Sequence, residues 1–190
     1  MINLLSLVLE FVALIIFLIV FISFILWSIG NLKSDVPFVT CSKGVLKNIK
    51  EAFSINDDSV VYDLGCGDGR VLFYLSRFNK NAKYIGVETS LFPFLLSKIG
   101  SFINNKKEGV GIEVIKNDFF KQDLSNATHI FVYLFPHVMD QLLPKLESEL
   151  KKGTVLVSLS FQFKEKKAIH EIDLKRNKYQ LGRKLYVYQF

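Results

Sequence analysis

No lysine or arginine occurs in the first 30 residues of this 190-residue chain, although 24 follow them. The same stretch holds one acid, Glu10, and from Leu4 to Ile29 reads LLSLVLEFVALIIFLIVFISFILWSI. A run this long, with no basic segment before it and no A-x-A-like site after it, argues against the competing reading, a secretory signal peptide. It reads instead as a transmembrane helix, since 26 residues at about 1.5 Å each exceed the ~30 Å hydrocarbon core. Every basic residue lies beyond the span, with Lys33, Lys43, Lys47 and Lys50 close behind it. The positive-inside tendency therefore puts the carboxy-terminal part in the cytoplasm, as a single-pass membrane protein with its amino terminus outside. Trp27 falls at the inner end, at headgroup depth, and Glu10 reads as a protonated or snorkelling carboxylate or as a helix–helix contact.

Cysteine is nearly as scarce. Cys41 and Cys66 alone give neither a disulfide framework nor a metal-ligand spacing, so no metal is expected. No internal repeat and no low-complexity tract is present. Once the span is set aside, 24 basic residues face 17 acidic ones, a formal +7. That charge suits an anionic leaflet, nucleic acid or an acidic protein alike. No dedicated RNA-binding extension accompanies it, and nucleic acid is not expected as a partner.

The chain divides into the span, 4–29, a linker and pre-domain segment, 31–58, and one domain, 59–190, all that this length accommodates. The connector Asn31 to Thr40, NLKSDVPFVT, reaches at most about 35 Å when extended. Beyond it, β-branched and aromatic runs predict strands at Val60–Leu64, Lys83–Glu88, Ile112–Asn117, His129–Phe135, Thr154–Phe161, His170–Lys175 and Lys184–Phe190. Helical patterns fall at about Ser42–Ala52, Arg70–Phe78, Leu91–Asn104 and Val138–Leu150, with Ser90 as an N-cap and Gly153 as a stop. Five strands alternating with helices and two closing strands predict an α/β fold. Its seven-stranded sheet is mostly parallel, with an antiparallel edge and helices on both faces.

The segment VVYDLGCGDGRVLF, Val60 to Phe73, places glycine at alternate positions 65, 67 and 69 between a strand and a helix. Missing Cβ atoms let a ligand approach such a backbone. A dinucleotide fingerprint begun at Gly65 would need glycine at position 70, which is Arg70, and no Gly-Lys-Ser/Thr follows for a phosphate loop. The pattern D-x-G-x-G-x-G, opened by Asp63, fits a cofactor with an amino-acid end and no pyrophosphate. Strand two ends in Glu88, a carboxylate suited to ribose hydroxyls, and strand three in Asn117-Asp118-Phe119, an acid and a ring suited to adenine. Three acids at three successive strand ends describe one crevice.

These residues resemble the seven-β-strand, class I S-adenosylmethionine-dependent methyltransferases over about Ser59 to Phe190, through DLGCGDG, the GVE that ends in Glu88, NDF and YLFP. The resemblance implies a Rossmann-like fold with S-adenosyl-L-methionine as cofactor. Asp63 with the Gly65 and Gly67 backbone would hold its methionine part, Glu88 the ribose, and Asp118 with Phe119 the adenine. A single span, the VPFVT segment, YDLGCGDGR and YLFP followed by KLESELKKGTVLVS are similar to the ATP synthase c-subunit lysine N-methyltransferase family and its prokaryotic relatives. That family carries an amino-terminal membrane anchor and methylates lysine in a membrane protein. Thr40 stands where a second proline is expected, and only Gln162 to Ile169 separate strands five and six.

In that fold the acceptor enters at the lip of strand four, which makes Tyr133, Leu134 and Pro136 the candidates for substrate contact. Tyr133 is also a candidate catalytic residue, because an aromatic ring packs on a lysine chain or holds its cation. His137, near a helix start whose positive dipole end disfavours imidazolium, is a proton-acceptor candidate, and a surface histidine is the plainer reading. His129 and His170 read as structural or exposed, Arg70 as the partner of a local acid, Asp68 as a hydrogen-bonding group at the loop tip. The run Phe163 to Lys167, FKEKK, reads as a solvated loop or a leaflet contact. No N-P-P-Y or D-P-P-Y follows strand four, which argues against amino methylation of adenine or glutamine. The expected activity is thus a membrane-anchored protein-lysine methyltransferase whose partners are the bilayer, through residues 4–29, and a lysine-bearing membrane protein. Methylation of a quinone or phospholipid, or of RNA, and a non-catalytic cofactor-binding module are the alternatives.

Overall fold

The computed structural model describes residues 3–32, 41–175 and 182–190. Lys33 and the segment Val36 to Thr40, singled out above, lie outside the described residues, as do the side chains of Trp27 and Lys43. The chain forms two units, residues 1–37 and 38–190.

The first unit is one helix, α1 (Leu4–Leu32). Within it Leu4–Ile25 has a mean hydropathy of 3.1 and none of it is buried. By length and composition this segment can cross a membrane.

The second unit is built on a seven-stranded sheet. Its elements are α2 (Lys43–Ala52), β1 (Val60–Leu64), α3 (Arg70–Leu75), β2 (Lys83–Glu88), α4 (Leu91–Glu108), β3 (Gly111–Lys116), β4 (His129–Val132), α5 (Pro136–Glu149), β5 (Val155–Leu159), β6 (His170–Asp173) and β7 (Lys184–Gln189). The strand order is β3-β2-β1-β4-β5-β7-β6. The pairs β1–β2, β1–β4, β2–β3 and β4–β5 are parallel, while β7 runs antiparallel to both β5 and β6. The antiparallel strand is therefore inserted one place in from the edge, and β6 occupies the edge. Periodicity identifies a strand but not its neighbour, so that exchange could not be read from the pattern.

Strand alternation splits the core between the two faces. Val61, Phe131, Val157 and Leu159 belong to one cluster with Val45, Ile49, Leu72 and Leu75 of α2 and α3. On the other face Ser158 Oγ meets Met139 Sδ of α5 at 3.9 Å, and Val138, Met139, Leu142, Leu143 and Leu146 bury that helix. Both faces are thus covered, as near-continuous apolar strands such as HIFV and VLVSL require. Tyr84, fully buried, donates its hydroxyl to the Asn79 carbonyl at 2.7 Å, so its polar tip is satisfied at the bottom of the sheet.

Gly86 in β2 fixes how closely the loop after β1 can settle. A Cβ there would lie 2.7 Å from Cys66 Sγ and 3.1 Å from Leu72 Cδ1. Overpacking of this kind costs about 1–3 kcal/mol. Gly86→Ala should lower the denaturant midpoint of the full chain by a corresponding amount, while an unchanged midpoint would mean that Cys66 moves aside freely.

Candidate active site

Every second residue of the loop after β1 is left-handed: φ is +76° at Gly65, +57° at Gly67 and +79° at Gly69. Only glycine takes this conformation without steric cost, which is why the spacing is strict. The loop is tied across to β2, where the Val87 carbonyl accepts the Gly65 N–H at 2.8 Å and the Cys66 N–H at 3.1 Å. Glu88 completes the tie. Its Oε2 accepts the Gly67 N–H at 2.9 Å and its Oε1 the Ser90 N–H at 2.8 Å. Each carboxylate oxygen retains a second acceptor site after these bonds.

Asp63, 2% exposed, ends the apolar run of β1 beneath this loop. Burial, and then the nearby charges of Glu88 and Asp68, hold its carboxyl well above the usual carboxylate range. Burial likewise pushes the Cys66 thiol up, with Asp63 and Glu88 adding to it, so Cys66 packs as a neutral group. Arg70 does not relieve Asp63. It forks onto Asp68, with Nε 2.9 Å from both carboxylate oxygens and Nη2 2.5 Å from Oδ2, while its Nη1 donates to the Cys41 carbonyl at 2.9 Å. Arg70 thus pairs with a local acid, as its position next to Asp68 predicts, and fastens the segment before α2 to the loop tip. Among the described residues no cationic side chain forms an ion pair with Asp63 or Glu88. A buried carboxylate, a clamped acid and a loop without Cβ atoms at positions 65, 67 and 69 favour a ligand with a positive centre.

The third strand end joins through the backbone, where the Asn117 N–H donates to the Glu88 carbonyl at 3.2 Å. Asp118 uses Oδ1 to accept the Phe120 N–H at 2.9 Å, and the rings of Phe119 and Phe120 lie 4.8 Å apart. Asp118 and Phe119 are half-buried. Gly67 is thus bonded to Glu88 and Gly65 to the neighbouring Val87, Asp63 lies within reach of the Glu88 charge, and Asn117, next to Asp118 and Phe119, bonds the Glu88 carbonyl.

On the other side β4 leaves the sheet after Val132, so Tyr133, Leu134 and Phe135 form the passage to α5 rather than the end of a strand. Leu134 is buried over the glycine loop, where a Cβ on Gly65 would touch its Cδ2 at 3.4 Å. Pro136 and His137 open α5 and are exposed. Two rings that sequence reasoning missed complete this lip. Phe161 stacks on Tyr133 with centroids 6.2 Å apart and tilts against Phe135 at 5.6 Å, while Phe135 stacks on His137 at 6.4 Å. Phe161 is aimed by Ser160, a non-glycine residue at φ +72°. Ser160 is held there because its N–H donates to the Lys184 carbonyl and its Oγ accepts the Gly182 N–H, each at 2.9 Å. Below Pro136 opens a cavity of about 480 Å³, bordered by Asp140, Phe163 and Lys164. In the FKEKK run, Lys164 donates its N–H to Asp140, and the Lys166 ammonium lies 4.2 Å from the Phe190 ring centroid.

The remaining histidines are peripheral. His129 is buried, its Nδ1 2.9 Å from Thr128 Oγ1 and its ring edge-on to Phe53, and burial lowers its pKa. His170 is exposed at the start of β6.

The chain is similar to several known proteins. The model of the ANTKMT methyltransferase domain matches residues 63–170. A protein-lysine N-methyltransferase of Saccharolobus islandicus is 36% identical over 132 residues, 68% of this chain and 79% of that one. An ATP synthase c-subunit lysine N-methyltransferase of Caenorhabditis elegans is 30% identical over 141 residues, 70% of each. Among solved structures, an RNA methyltransferase from Salinibacter ruber in complex with S-adenosyl-L-homocysteine superimposes with a TM-score of 0.70 and 27% identity, over 80% of this chain and 93% of that one.

The buried acid gives a pH signature. Because the Asp63 carboxyl titrates higher when folded than its ordinary 3.8, its contribution to stability is complete below that value. It is lost as the pH rises through the folded value. In the unliganded chain Asp63→Asn should flatten this loss and raise the melting temperature at neutral pH above that of the wild type. A variant less stable than wild type at neutral pH would show that the carboxylate already has a cationic partner.

Proposed function

The chain belongs to the ANTKMT methyltransferase domain family and is an S-adenosylmethionine-dependent methyltransferase, and from that premise we propose that it is a membrane-anchored protein-lysine N-methyltransferase acting on a membrane protein. The observation that carries the reading is the 36% identity to a protein-lysine N-methyltransferase of which this chain spans 79%. The relative at 30% identity, named for the c-subunit of ATP synthase, supports a small membrane protein as the class of acceptor. The apolar helix α1 supports the anchor, and the basic residues that follow it support a catalytic domain on the cytoplasmic side.

The crevice suits the cofactor. Asp63 and the Gly65–Gly67 backbone would receive its methionine part, where its positive charge would offset the carboxylates. Glu88 would use its remaining acceptor sites for the ribose, and Asp118 with Phe119 would hold the adenine. When bound, S-adenosylmethionine supplies an electrophilic methyl group on a sulfonium. The chain has to align a neutral lysine amine with it and exclude water. Tyr133, with Phe161 stacked on it, would pack along the lysine stem and steady its cation before release. Leu134 would close over Gly65, Pro136 would border the entry, and His137, stacked on Phe135 at the end of the aromatic row, would serve as the proton acceptor.

A second reading, methylation of RNA, is favoured by two observations, the likeness to an RNA methyltransferase at 27% identity and a formal +7 beyond residue 30. The two readings separate by where a labelled methyl group goes. Incubation of the full chain with labelled cofactor and membranes from a deletion strain should label a small integral membrane protein, with methyl-lysine recovered on hydrolysis. Label found only in RNA, or only in organic-soluble lipid or quinone, would overturn the lysine reading. Loss of a cation–aromatic contact is worth about 0.5–2 kcal/mol, so Tyr133→Ala and Phe161→Ala should each lower methyl transfer by about 2- to 30-fold while leaving cofactor affinity near wild type. Equal losses in both quantities would place the rings in the cofactor crevice.

A further inference from the structure

Helix α4 carries its apolar residues outward. Towards the sheet it presents Pro93, Ser97 and Ser101, all buried, and at Gly100 an added Cβ would lie 2.6 Å from the Phe73 ring. The two serine hydroxyls are satisfied within the helix, Ser97 by the Phe94 carbonyl and Ser101 by the Lys98 carbonyl, each at 2.9 Å. Small residues thus let α4 approach β2 and β3 closely and, apart from Phe94, which packs against the core, leave most of its large ones outside. Leu91, Leu95, Leu96, Ile99, Phe102 and Ile103 are between 38% and 67% exposed. At about 100° per residue these six fall within an arc of about 140°. A surface helix normally shows the reverse pattern, and an apolar face of this size on a soluble surface marks a contact.

The residues around the arc indicate what covers it. No acid occurs from Leu91 to Lys107. Lys98 lies on one border, its ammonium held 3.2 Å from the Val114 carbonyl, and Lys106 and Lys107 lie at the carboxy-terminal end, with the Lys106 ammonium 5.8 Å from the Phe102 ring centroid. A second copy of this face offers these lysines no acid from Leu91 to Lys107 as a counter-charge. A phospholipid leaflet supplies both an apolar interior and anionic headgroups, the pairing that lysine-bordered amphipathic helices use. The rest of the domain agrees in sign, with 24 basic against 17 acidic residues beyond the span.

We propose that the outward face of α4 is a second, peripheral membrane contact, seated in the headgroup region of an anionic leaflet. The inference rests on the anchored reading above, because a tether on α1 keeps the leaflet at high effective concentration. The domain would then meet the bilayer through its own surface as well as through its anchor.

Position 99 can be labelled selectively because Cys41 and Cys66 are both buried. Full-length Ile99→Cys carrying an environment-sensitive fluorophore would be reconstituted in vesicles of phosphatidylglycerol and phosphatidylcholine containing a shallow spin-labelled lipid. Glu147→Cys, exposed on α5 over the opposite sheet face, serves as the control. We expect blue-shifted emission and at least two-fold quenching at position 99, none at 147, and loss of the quenching in Leu95→Glu/Phe102→Glu. Retention of the chain in the vesicles through an alkaline wash reports the anchor separately. A retained chain whose position 99 stays in water would overturn the α4 contact and leave the anchor standing. A chain stripped by the wash after its label had been quenched would support the α4 contact and overturn the anchor. Label self-quenching that depends on protein concentration without lipid would overturn the inference in favour of a second copy.

Discussion

Both oxygens of the Glu88 carboxylate accept backbone amides, one from Gly67 in the loop after β1 and one from Ser90 at the start of α4. Through these two bonds the end of β2 fixes the shape of the glycine loop, and the Asn117 amide on the Glu88 carbonyl brings in the end of β3. Asp63 is held beneath the same loop, where burial and the Glu88 and Asp68 charges penalise its ionisation. The crevice therefore stores electrostatic cost in the unliganded state, and a cationic ligand returns it on binding. That preorganisation is available because Gly65, Gly67 and Gly69 take left-handed conformations that cost other residues steric strain.

Much of this was legible in the residues. The spacing of the glycines, the acids closing β1, β2 and β3, and the bounds of β1 and β2 all follow from local pattern, because each depends on a few consecutive side chains. The pairing of Arg70 with Asp68 was legible for the same reason. Three features were not. The insertion of β7 between β5 and β6 depends on long-range pairing. Strand β4 ends early, at Val132, and Leu134 beyond it is buried against Gly65. Phe161 reaches Tyr133 only because Ser160 adopts a positive φ, and a serine gives no sequence signal for that conformation.

Helix α4 shows the same limit of pattern reading. Its apolar periodicity identifies a helix, but periodicity does not say which side meets the sheet. Ser97, Ser101 and Gly100 decide that question by their size, since only they allow the close approach to β2, β3 and Phe73. The exposed leucines and phenylalanine are the consequence. In the proposed reading the cofactor crevice would hold the methyl donor, the aromatic lip would align an amine, and the apolar face of α4 would seat the domain on the membrane.

The central claim is that Glu88 both clamps the loop and receives the cofactor. Titration calorimetry of S-adenosylmethionine into the full-length protein, wild type against Glu88→Ala, tests it most directly. Removal of a charge-assisted acceptor costs about 1.5–3 kcal/mol, so the account predicts affinity weaker by about 10- to 200-fold. Unchanged affinity in a variant that still folds would contradict it and remove Glu88 from the site.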